Sequence, residues 1–320
     1  MTNYAFFNGA IVPIDQAKVS VMTHTLNYGT GCFGGLRAYW NPEQEQLYAF
    51  RFVDHFRRFL NSAKLLLAEL PYTAEELAAI TLDLLRTEGW SEDCYIRPLL
   101  YKADEIIGVR LHNLRDAVTI FSVPMGAYLP REDGLRVCTS SWRRVDDTMI
   151  PARGKLIGSY VNSALIKSDA QLSGYDEALV LSQDGHVAEA SAANFFMVRD
   201  GVVVTPPITD NVLEGITRRT MMHLCTHALG LPVVERSIDR TELFLADEAF
   251  LCGTGVQIAA IGSIDNRTLG SGGMGPVTRQ LHTLYFDTVR GRHPEFADWL
   301  TPVYDQGNVK LSADRAMAAD

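Results

Sequence analysis

Lys155 lies in a segment where an amine could do chemistry. Residues 150–160 place Lys155 between Gly154 and Gly158, with Tyr160 five residues further on. Glycine lets a backbone approach a ligand closely, and an unprotonated lysine amine can form a Schiff base with a carbonyl cofactor. Of the six lysines in the chain, Lys155 alone has these surroundings. The alternative interpretation is a surface lysine that precedes a helix.

Glu189 is a carboxylate in apolar surroundings. Its neighbours in the sequence, from Val187 to Ser191, are small or apolar, and an unpaired buried charge is expensive. A protonated pyridine nitrogen would satisfy this carboxylate, and a nearby arginine would serve equally well.

Residues 213–218 could bind a phosphate, because they form a turn that leads into a predicted helix. Free N–H groups of Gly215, Ile216 and Thr217 would point toward an anion there, and the helix dipole also favours negative charge. A second glycine-rich turn offers the hydroxyl of Thr254. Taken alone, Thr217 could merely cap the helix, and the second segment could be only a tight turn.

Three other motifs are rejected as binding sites because the sequence around them does not fit. Residues 29–34 match GxGxxG, but no buried apolar strand precedes them and no crossover helix fits before Leu47, so a hairpin is predicted instead of a dinucleotide site. The glycine-rich residues 270–275 lack the Lys-Ser/Thr of a P-loop. His223 and His227 have zinc-ligand spacing but no catalytic Glu between them, so no metal is expected.

Composition limits the class of protein. The 320 residues are 47% hydrophobic and 21% charged, as in ordinary globular proteins, and the net charge of −9 argues against nucleic acid and anionic membranes as partners. Five widely spaced cysteines fit buried thiols in a reducing compartment. The N-terminal residues lack the pattern of a signal peptide, and no apolar run is long enough to span a membrane. We expect a soluble, cytoplasmic protein.

Turn residues and hydrophobic patterning predict an α+β chain with two domains. Residues 1–124 form a small N-terminal domain, 125–134 an interdomain linker, and 135–320 a larger domain whose tail after about residue 305 is expected to be disordered. Asp54 and Thr73 are predicted to cap two helices of the first domain. The further predicted elements are a hairpin at 4–15, helices at 159–172 and from Ile216, and strands at 33–40, 47–53, 94–101, 117–123, 135–140, 177–182, 186–190, 194–198, 248–252 and 257–264.

Together, Lys155, Glu189 and residues 213–218 resemble the class IV aminotransferases, which are fold-type IV pyridoxal-phosphate enzymes. The class signature is matched without a gap by Glu189-Ala190-Ser191-Ala192-Ala193-Asn194-Phe195-Phe196, Val203-Val204-Thr205 and Leu213-Glu214-Gly215-Ile216-Thr217-Arg218. Within the class, the chain most resembles branched-chain amino acid aminotransferases over nearly its whole length. The segments that carry this resemblance are Asn27-Tyr28-Gly29-Thr30 with Phe33, Tyr95-Ile96-Arg97-Pro98-Leu99, Gly126-Ala127-Tyr128-Leu129, Ser140-Ser141-Trp142 and Leu245-Ala246-Asp247-Glu248.

The resemblance implies a small α/β N-terminal domain, a larger mixed-sheet pseudo-barrel domain and bound pyridoxal 5′-phosphate. Lys155 would hold the cofactor and move the proton between the substrate and the cofactor. Glu189 would pair with the pyridinium nitrogen, and Tyr160 would bind the 3′ oxygen. Leu213 would pack on the ring. The remaining cofactor-binding residues would be Arg58, Gly215, Ile216, Thr217 and Thr254, around the phosphate.

On the substrate side, the resemblance implies a pocket that accepts leucine, isoleucine or valine and then glutamate, with the corresponding 2-oxo acids. Arg97 would bind the γ-carboxylate of glutamate, although an arginine in a strand can also form a structural ion pair. The other substrate-binding residues would be Tyr28, Phe33, Tyr95, Tyr128, Thr254 and Gly255. A homodimer or higher homo-oligomer is expected, with the sites near the subunit interface.

Two departures from the family pattern put the substrate range in doubt. Gly34 stands where relatives commonly carry an acidic residue, and Gly255-Val256-Gln257 replaces the commoner Ala-Ala-Glu. Both segments would flank the substrate pocket.

Three other functions stay open at this point. A D-amino-acid or (R)-amine transaminase would use the same lysine, but the pair Tyr95 and Arg97 speaks against it. An aminodeoxychorismate lyase would eliminate pyruvate without an amino acceptor. A cofactor-binding or scaffolding protein without activity is the third possibility, and intact Lys155, Tyr160 and Glu189 argue against it.

Overall fold

The computed structural model describes residues 3–129 and 131–304, which divide into two compact units. The first unit contains the chain up to Gly126 and the chain from Asp287 onward, and the second runs from Ala127 to Phe286. Pro130 of the predicted linker and the tail predicted to be disordered after about residue 305 lie outside the described residues.

The first unit is an antiparallel sheet with helices. Its strands, numbered in chain order, are β1 (Tyr4–Phe7), β2 (Ala10–Pro13), β3 (Gly31–Phe33), β4 (Leu36–Asn41), β5 (Gln46–Phe50), β6 (Cys94–Lys102), β7 (Asp116–Pro124) and β17 (Leu300–Pro302). They lie in the order β17-β5-β4-β6-β7-β1-β2, with β3 paired to β6. The helices are α1 (His24–Tyr28), α2 (Phe52–Leu65) and α3 (Ala74–Glu88), with 3₁₀ segments Ile14–Gln16 and Pro294–Trp299.

The described units differ from the predicted domains at the end of the chain. The break between Gly126 and Ala127 falls inside the predicted linker, but the chain from Asp287 returns to the first unit. There β17 adds antiparallel to β5, and Arg86 Nε of α3 donates to the Val303 carbonyl (2.7 Å). A three-residue strand leaves no periodic pattern in the sequence, so this return could not be predicted.

The two predicted helix caps have different outcomes. The Thr73 prediction is confirmed, since Thr73 and Glu76 form a reciprocal capping box and α3 ends at a left-handed Gly89. The Asp54 prediction is wrong, because α2 begins at Phe52 and its N-cap is Arg51. Asp54 lies instead in the first turn, where it pairs with Arg51 (2.7 Å) and complements the helix dipole.

The second unit is a mixed sheet of nine strands, β8 (Leu135–Arg143), β9 (Glu177–Leu181), β10 (Val187–Ala190), β11 (Asn194–Arg199), β12 (Val202–Thr205), β13 (Val233–Glu235), β14 (Glu248–Gly253), β15 (Gln257–Ile264) and β16 (Arg267–Thr268). Its helices are α4 (Tyr160–Leu172), α5 (Ile216–His223) and α6 (Pro276–Val289), which begins in this unit. A π-helical turn, Leu224–Ala228, follows α5, and Ile208–Asp210 and Arg240–Leu245 are 3₁₀.

The second sheet curls back on itself. Its order is β10-β9-β8-β15-β14-β11-β12-β13, so β10 and β11 are separated by four other strands. Only residues 191–193 connect β10 to β11, and Ala190 N donates to the Ala193 carbonyl across this connection (2.8 Å). The sheet must therefore bend until its first strand meets its sixth, which gives the predicted pseudo-barrel.

Alternation along β9 shows where the core lies. Leu179 and Leu181 belong to the hydrophobic cluster inside the curled sheet. Ala178 and Val180, which point to the opposite face, pack with Ile166 of α4. Because both faces of β9 are covered, its residues from Ala178 to Leu181 are all apolar.

The cysteines are buried or half-buried and unpaired, as predicted. Burial raises the pKa of Cys32, Cys94 and Cys225 to about 12, and it also raises the pKa of Cys252. These four thiols stay protonated at neutral pH, which removes them as nucleophiles. None of the helices in the described part of the chain is both long and apolar enough to cross a bilayer.

Helix α6 was not predicted by the sequence analysis. The backbone amides of its first turn donate to a buried carboxylate. Glu248 of β14 accepts hydrogen bonds from Val277 N (2.9 Å), Thr278 N (2.9 Å) and Thr278 Oγ1 (2.7 Å). A carboxylate at this position satisfies amides that have no acceptor within the helix and complements the helix dipole.

We predict that Glu248→Gln lowers the free energy of unfolding by about 1–3 kcal/mol, because charge-assisted bonds at the start of α6 are lost and an amide N–H₂ faces other donors. Urea denaturation would measure the change. Glu92→Gln, which alters an exposed carboxylate, should stay within about 0.5 kcal/mol of the parent. Equal stability of the two variants would contradict the assigned role.

Candidate active site

Lys155 and Tyr160 lie within hydrogen-bond distance of each other in the structure. Lys155 is half-buried in the loop between β8 and α4, and Tyr160 is the first residue of α4. Lys155 Nζ donates to Tyr160 Oη (2.5 Å) and lies 5.1 Å from the centre of its ring. Ser159 Oγ donates to the Leu156 carbonyl (2.8 Å), which fixes the chain between them. The amine is thus held by a group on a rigid helix.

Glu189 lies in β10 and is only 4% exposed. A register shift between Val187 and Glu189 marks a bulge, the kind of irregularity that redirects a side chain. Its Oε1 pairs with Arg144 Nη2 (2.8 Å), and its Oε2 accepts from Asn194 Nδ2 (3.0 Å) and Leu213 N (3.1 Å). The arginine left open by the sequence analysis is therefore present.

The bonding of Glu189 tests whether a pyridinium could also fit. An ionised carboxylate has about four acceptor positions. Within the described part of the chain, three donors reach this carboxylate, two on Oε2 and one on Oε1. One position on Oε1 remains for a further N–H donor. The residues present therefore fit a protonated pyridine nitrogen beside Glu189.

The predicted phosphate site lies at the start of α5. Ile216 and Thr217 are the first two residues of the helix and are buried, and amides in this position have no acceptor within the helix. The cap is Gly215, without a side-chain cap bond, so Thr217 does not cap the helix. Gly215 N donates to the Leu213 carbonyl (2.8 Å), which corrects the expectation that this amide is free.

Gly215 is needed for a steric reason. A Cβ atom at this position would lie well inside contact distance of Asn194 Oδ1. Asn194 in turn donates from Nδ2 to the Leu213 carbonyl (2.9 Å). The turn before α5 is therefore packed directly on Asn194.

Thr254 and Gly255 lie in the turn between β14 and β15, and α5 packs on β14. A Cβ atom built on Gly255 would be 3.6 Å from Cγ of Tyr128, an ordinary contact distance. Two predicted substrate-binding residues, Tyr128 and Gly255, therefore face each other in the second unit. Gln257, which ends this turn, has a left-handed backbone (φ 61°) of the sort that clusters at functional sites.

In the first unit, Phe33, Tyr95 and Arg97 form a cluster. Tyr95 and Arg97 are two residues apart on β6 and share one face of the sheet. Arg97 Nη2 donates to Tyr95 Oη (2.9 Å), and the guanidinium carbon lies 4.5 Å from the Phe33 ring centre and 5.1 Å from the Tyr95 ring centre. The cluster combines aromatic surface with a cation, as a pocket for both aliphatic and acidic substrates requires.

The remaining predicted residues of the first unit are Tyr28 and Arg58. Tyr28 ends α1, and its Oη accepts from Gly108 N (3.2 Å). Arg58 lies on α2, where its carbonyl accepts from Ser62 Oγ (3.0 Å). Joint action of these residues with those of the second unit stays a prediction.

The sequence analysis missed Arg144 and Asn194. Arg144 follows another arginine at the end of β8, and nothing in the local pattern distinguishes the two. Asn194 lies inside the recognised signature, but its partner Leu213 is nineteen residues away. The signal that could have found them is the buried carboxylate itself, which requires donors.

His223 and His227 stack their rings, with centres 4.1 Å apart. Within the ranges 3–129 and 131–304, no group of three His, Cys, Asp or Glu side chains is placed to hold a metal ion.

Comparison with known proteins identifies the class. The model of the family described as Amino-transferase class IV matches residues 31–264, and the chain therefore belongs to the class IV aminotransferases. A curated relative from Aquifex aeolicus (strain VF5), named probable branched-chain-amino-acid aminotransferase, is 46% identical over 304 residues, which cover 95% of this chain and 98% of the relative.

Two solved structures show the same fold. The branched-chain aminotransferase from Thermoproteus uzoniensis with norvaline has a TM-score of 0.91 at 43% identity and covers 95% of this chain and 100% of its own. The T.th. branched-chain amino acid aminotransferase complexed with N-(5′-phosphopyridoxyl)-L-glutamate has a TM-score of 0.89 at 40% identity, with coverages of 95% and 99%. The predicted class, the two-part α+β fold and the use of pyridoxal phosphate are thereby confirmed, whereas the individual site residues stay predictions.

We predict that Gly215→Ala displaces Asn194 or the turn before α5. Overpacking of this kind costs about 1–3 kcal/mol, and the same displacement should weaken binding of pyridoxal phosphate. Urea denaturation and a cofactor titration would measure both effects. Gly253→Ala serves as the control, because its Cβ would meet nothing closer than 3.7 Å; the same loss in both variants would argue against the contact with Asn194.

Proposed function

We propose that this chain transfers the amino group of L-leucine, L-isoleucine or L-valine reversibly to 2-oxoglutarate, in two half-reactions that alternate pyridoxal and pyridoxamine phosphate. The observation that carries the proposal is the cluster of Phe33, Tyr95 and Arg97, which offers an apolar wall and a carboxylate-binding group together. The relatives' names point to the same reaction. One solved relative holds norvaline and another a phosphopyridoxyl-glutamate, so relatives bind both kinds of side chain.

Bound pyridoxal phosphate supplies a reactive carbonyl carbon and a ring that withdraws electrons from the substrate's α-carbon. Lys155 Nζ would hold the cofactor and then carry the proton removed from that carbon. The Tyr160 hydroxyl, already bonded to Nζ, would orient the amine and bind the 3′ oxygen of the ring. The Glu189 carboxylate would keep the ring nitrogen protonated, which maintains the electron withdrawal.

Phosphate binding would come from the start of α5 and two further groups. The amides of Ile216 and Thr217 would donate to phosphate oxygens at the positive end of the helix. The hydroxyl of Thr254 and the guanidinium of Arg58 would complete the site. Leu213, whose backbone is fixed by Glu189 and Asn194, would pack on the ring face.

The substrate would be bound by aromatic surface from Tyr28, Phe33, Tyr95 and Tyr128, with Thr254 and Gly255 at its carboxylate. Arg97 would bind the second carboxylate of glutamate or 2-oxoglutarate. The Arg97 guanidinium lies over the Phe33 ring and donates to the Tyr95 hydroxyl, so it combines an apolar contact with a charge that can bind a carboxylate. One pocket can thereby accept both substrates of the reaction.

The two glycine departures differ in their surroundings. A Cβ on Gly34 would lie 2.5 Å from Cγ of Pro98, so the neighbouring strand excludes a side chain there. A Cβ on Gly255 would fit at an ordinary distance from the Tyr128 ring. Gly255 therefore leaves about one methyl group of space beside a predicted substrate-binding residue, which favours a wider pocket than in relatives with alanine.

We expect a cytoplasmic homodimer or higher homo-oligomer with sites near the subunit interface. Exposed apolar side chains support this: Val21 is 80% exposed and Val109 is 84% exposed. The loop that carries Val109 is fixed to α1, since His24 Nε2 lies 2.8 Å from the Gly108 carbonyl. Exposed apolar surface of this kind marks an interaction site when it forms a contiguous patch.

The visible absorbance of the purified protein tests the proposal. The band of bound cofactor should bleach on addition of L-leucine and return on addition of 2-oxoglutarate, because the two compounds drive opposite half-reactions. Lys155→Ala should bind the cofactor through its phosphate and lose turnover, since no other amine replaces Nζ. A band that ignores L-leucine but responds to a D-amino acid or an (R)-amine would instead indicate a transaminase for those compounds, and wild-type turnover in Lys155→Ala would refute the mechanism.

Arg97→Met should separate the half-reactions. Loss of a charge-assisted bond of about 1.5–3 kcal/mol predicts a fall of roughly 10- to 150-fold in kcat/KM for 2-oxoglutarate, with the rate for L-leucine changed only a few-fold. Single-turnover absorbance measurements would give both values. Arg57→Met, which alters an exposed arginine paired with Glu75, is the matched control and should leave both rates unchanged. An equal loss for both substrates would contradict selective binding of the γ-carboxylate.

A further inference from the structure

Two side chains bracket Glu189 from opposite sides, and each also bonds to the turn before α5. Arg144 Nη2 lies 2.8 Å from Oε1, and its Nε donates to the Asn211 carbonyl (3.0 Å). Asn194 Nδ2 donates to Oε2 (3.0 Å) and to the Leu213 carbonyl (2.9 Å). We call Arg144 and Asn194 the Glu189 clamp. It joins the acid predicted to face the ring nitrogen to the turn that leads to the phosphate site.

Burial makes the clamp energetically important. Arg144 is 8% exposed and Asn194 is 5% exposed, and removing one partner of a buried charge pair leaves the other uncompensated. Asn194 and Leu213 N together occupy the acceptor positions of Oε2, whereas Arg144 takes one position on Oε1. The clamp therefore compensates the buried charge of Glu189 and determines which of its oxygens has an acceptor position left.

The clamp also reaches the loop that carries Lys155. Arg144 opens this loop directly after β8, and Asp146 two residues later accepts from Asn211 Nδ2 (3.2 Å). Further along, Arg153 lies 3.4 Å from Glu214 of the turn. One network of polar contacts thus connects Glu189 to the loop that carries Lys155 and to the turn before α5.

We propose that Arg144 and Asn194 are positioning residues for the cofactor: they orient the Glu189 side chain so that one acceptor position stays open, and they fix the turn 211–215 relative to it. This inference rests on the proposed function, because it gives Glu189 a ring nitrogen as its partner. Neither side chain need touch the cofactor or the substrate. Their effect would pass through Glu189 and Leu213.

The test compares cofactor binding in Arg144→Met and Asn194→Leu with the parent chain. Loss of groups that orient a ligand-binding residue typically costs 10- to 100-fold in affinity, so the dissociation constant of pyridoxal phosphate should rise by about that factor. The absorbance of the bound cofactor changes with pH, and the midpoint of that change should also rise, by about one pH unit. A ring nitrogen that is less often protonated repels the lysine-linked nitrogen less, which makes protonation of the latter easier.

A second readout needs no cofactor. Leu213 N donates to Glu189 Oε2, so hydrogen exchange at this amide in the cofactor-free full-length chain should speed up at least about tenfold in Asn194→Leu. The milder variants Arg144→Lys and Asn194→Ser, which each keep a hydrogen-bond donor, cover the case in which the first two do not fold. Arg144→Lys, which keeps the charge, should restore part of the affinity for pyridoxal phosphate and should shift the pH midpoint less than Arg144→Met does.

Arg199→Met is the matched control. Arg199 is a half-buried arginine of the second unit, and its Nη1 lies 2.7 Å from Glu242 Oε1. Its loss should lower stability without moving the pH midpoint. Parent-like affinity, midpoint and exchange in both clamp variants, or the same midpoint shift in Arg199→Met, would overturn the proposal. A parent chain that binds the cofactor but ignores L-leucine would instead refute the proposed substrate and leave the clamp standing.

Discussion

The proposed active site of this class IV aminotransferase depends on one buried carboxylate and on the hydrogen-bond donors that this carboxylate requires. Glu189 lies in an apolar strand, where a lone charge would be unstable, and its three bonds come from three separate segments of the chain. Each bond fixes a different part of the site: the start of the lysine loop, the beginning of β11 and the turn before α5. A buried carboxylate is unstable without hydrogen-bond donors. The donors that stabilise Glu189 therefore also hold these three segments together.

The curled sheet makes this arrangement possible. Since β10 is the first strand of the sheet and β11 the sixth, Glu189 and Asn194 could not meet across a flat sheet. The small residues 191–193 let the two strands join closely. This short connection of small residues therefore closes the sheet, and it also brings Asn194 within hydrogen-bond distance of Glu189.

Local signals in the sequence predicted most of this structure. Strand alternation, the Thr73 capping box and the glycine-flanked Lys155 each depend on a few consecutive residues, and the signature run identified the class. Arg144, the return of residues 287–304 and the use of the Gly215 amide were not predictable in this way, because each depends on a partner distant in the sequence or on the exact path of a turn. The Asp54 prediction was wrong for a related reason: an acidic residue favours both the cap and the first turn of a helix, and only the backbone angles distinguish them.

The contact between Gly215 and Asn194 has a consequence for laboratory evolution of this enzyme. The two positions share one small volume, so in a library that varies either alone most variants disturb the turn before α5, where we propose that the cofactor's phosphate binds. Gly255 differs, since the space between it and Tyr128 admits a methyl group. Saturation at residue 255, with 194 and 215 held constant, would direct mutations to the proposed substrate pocket and spare the segment proposed to hold the cofactor.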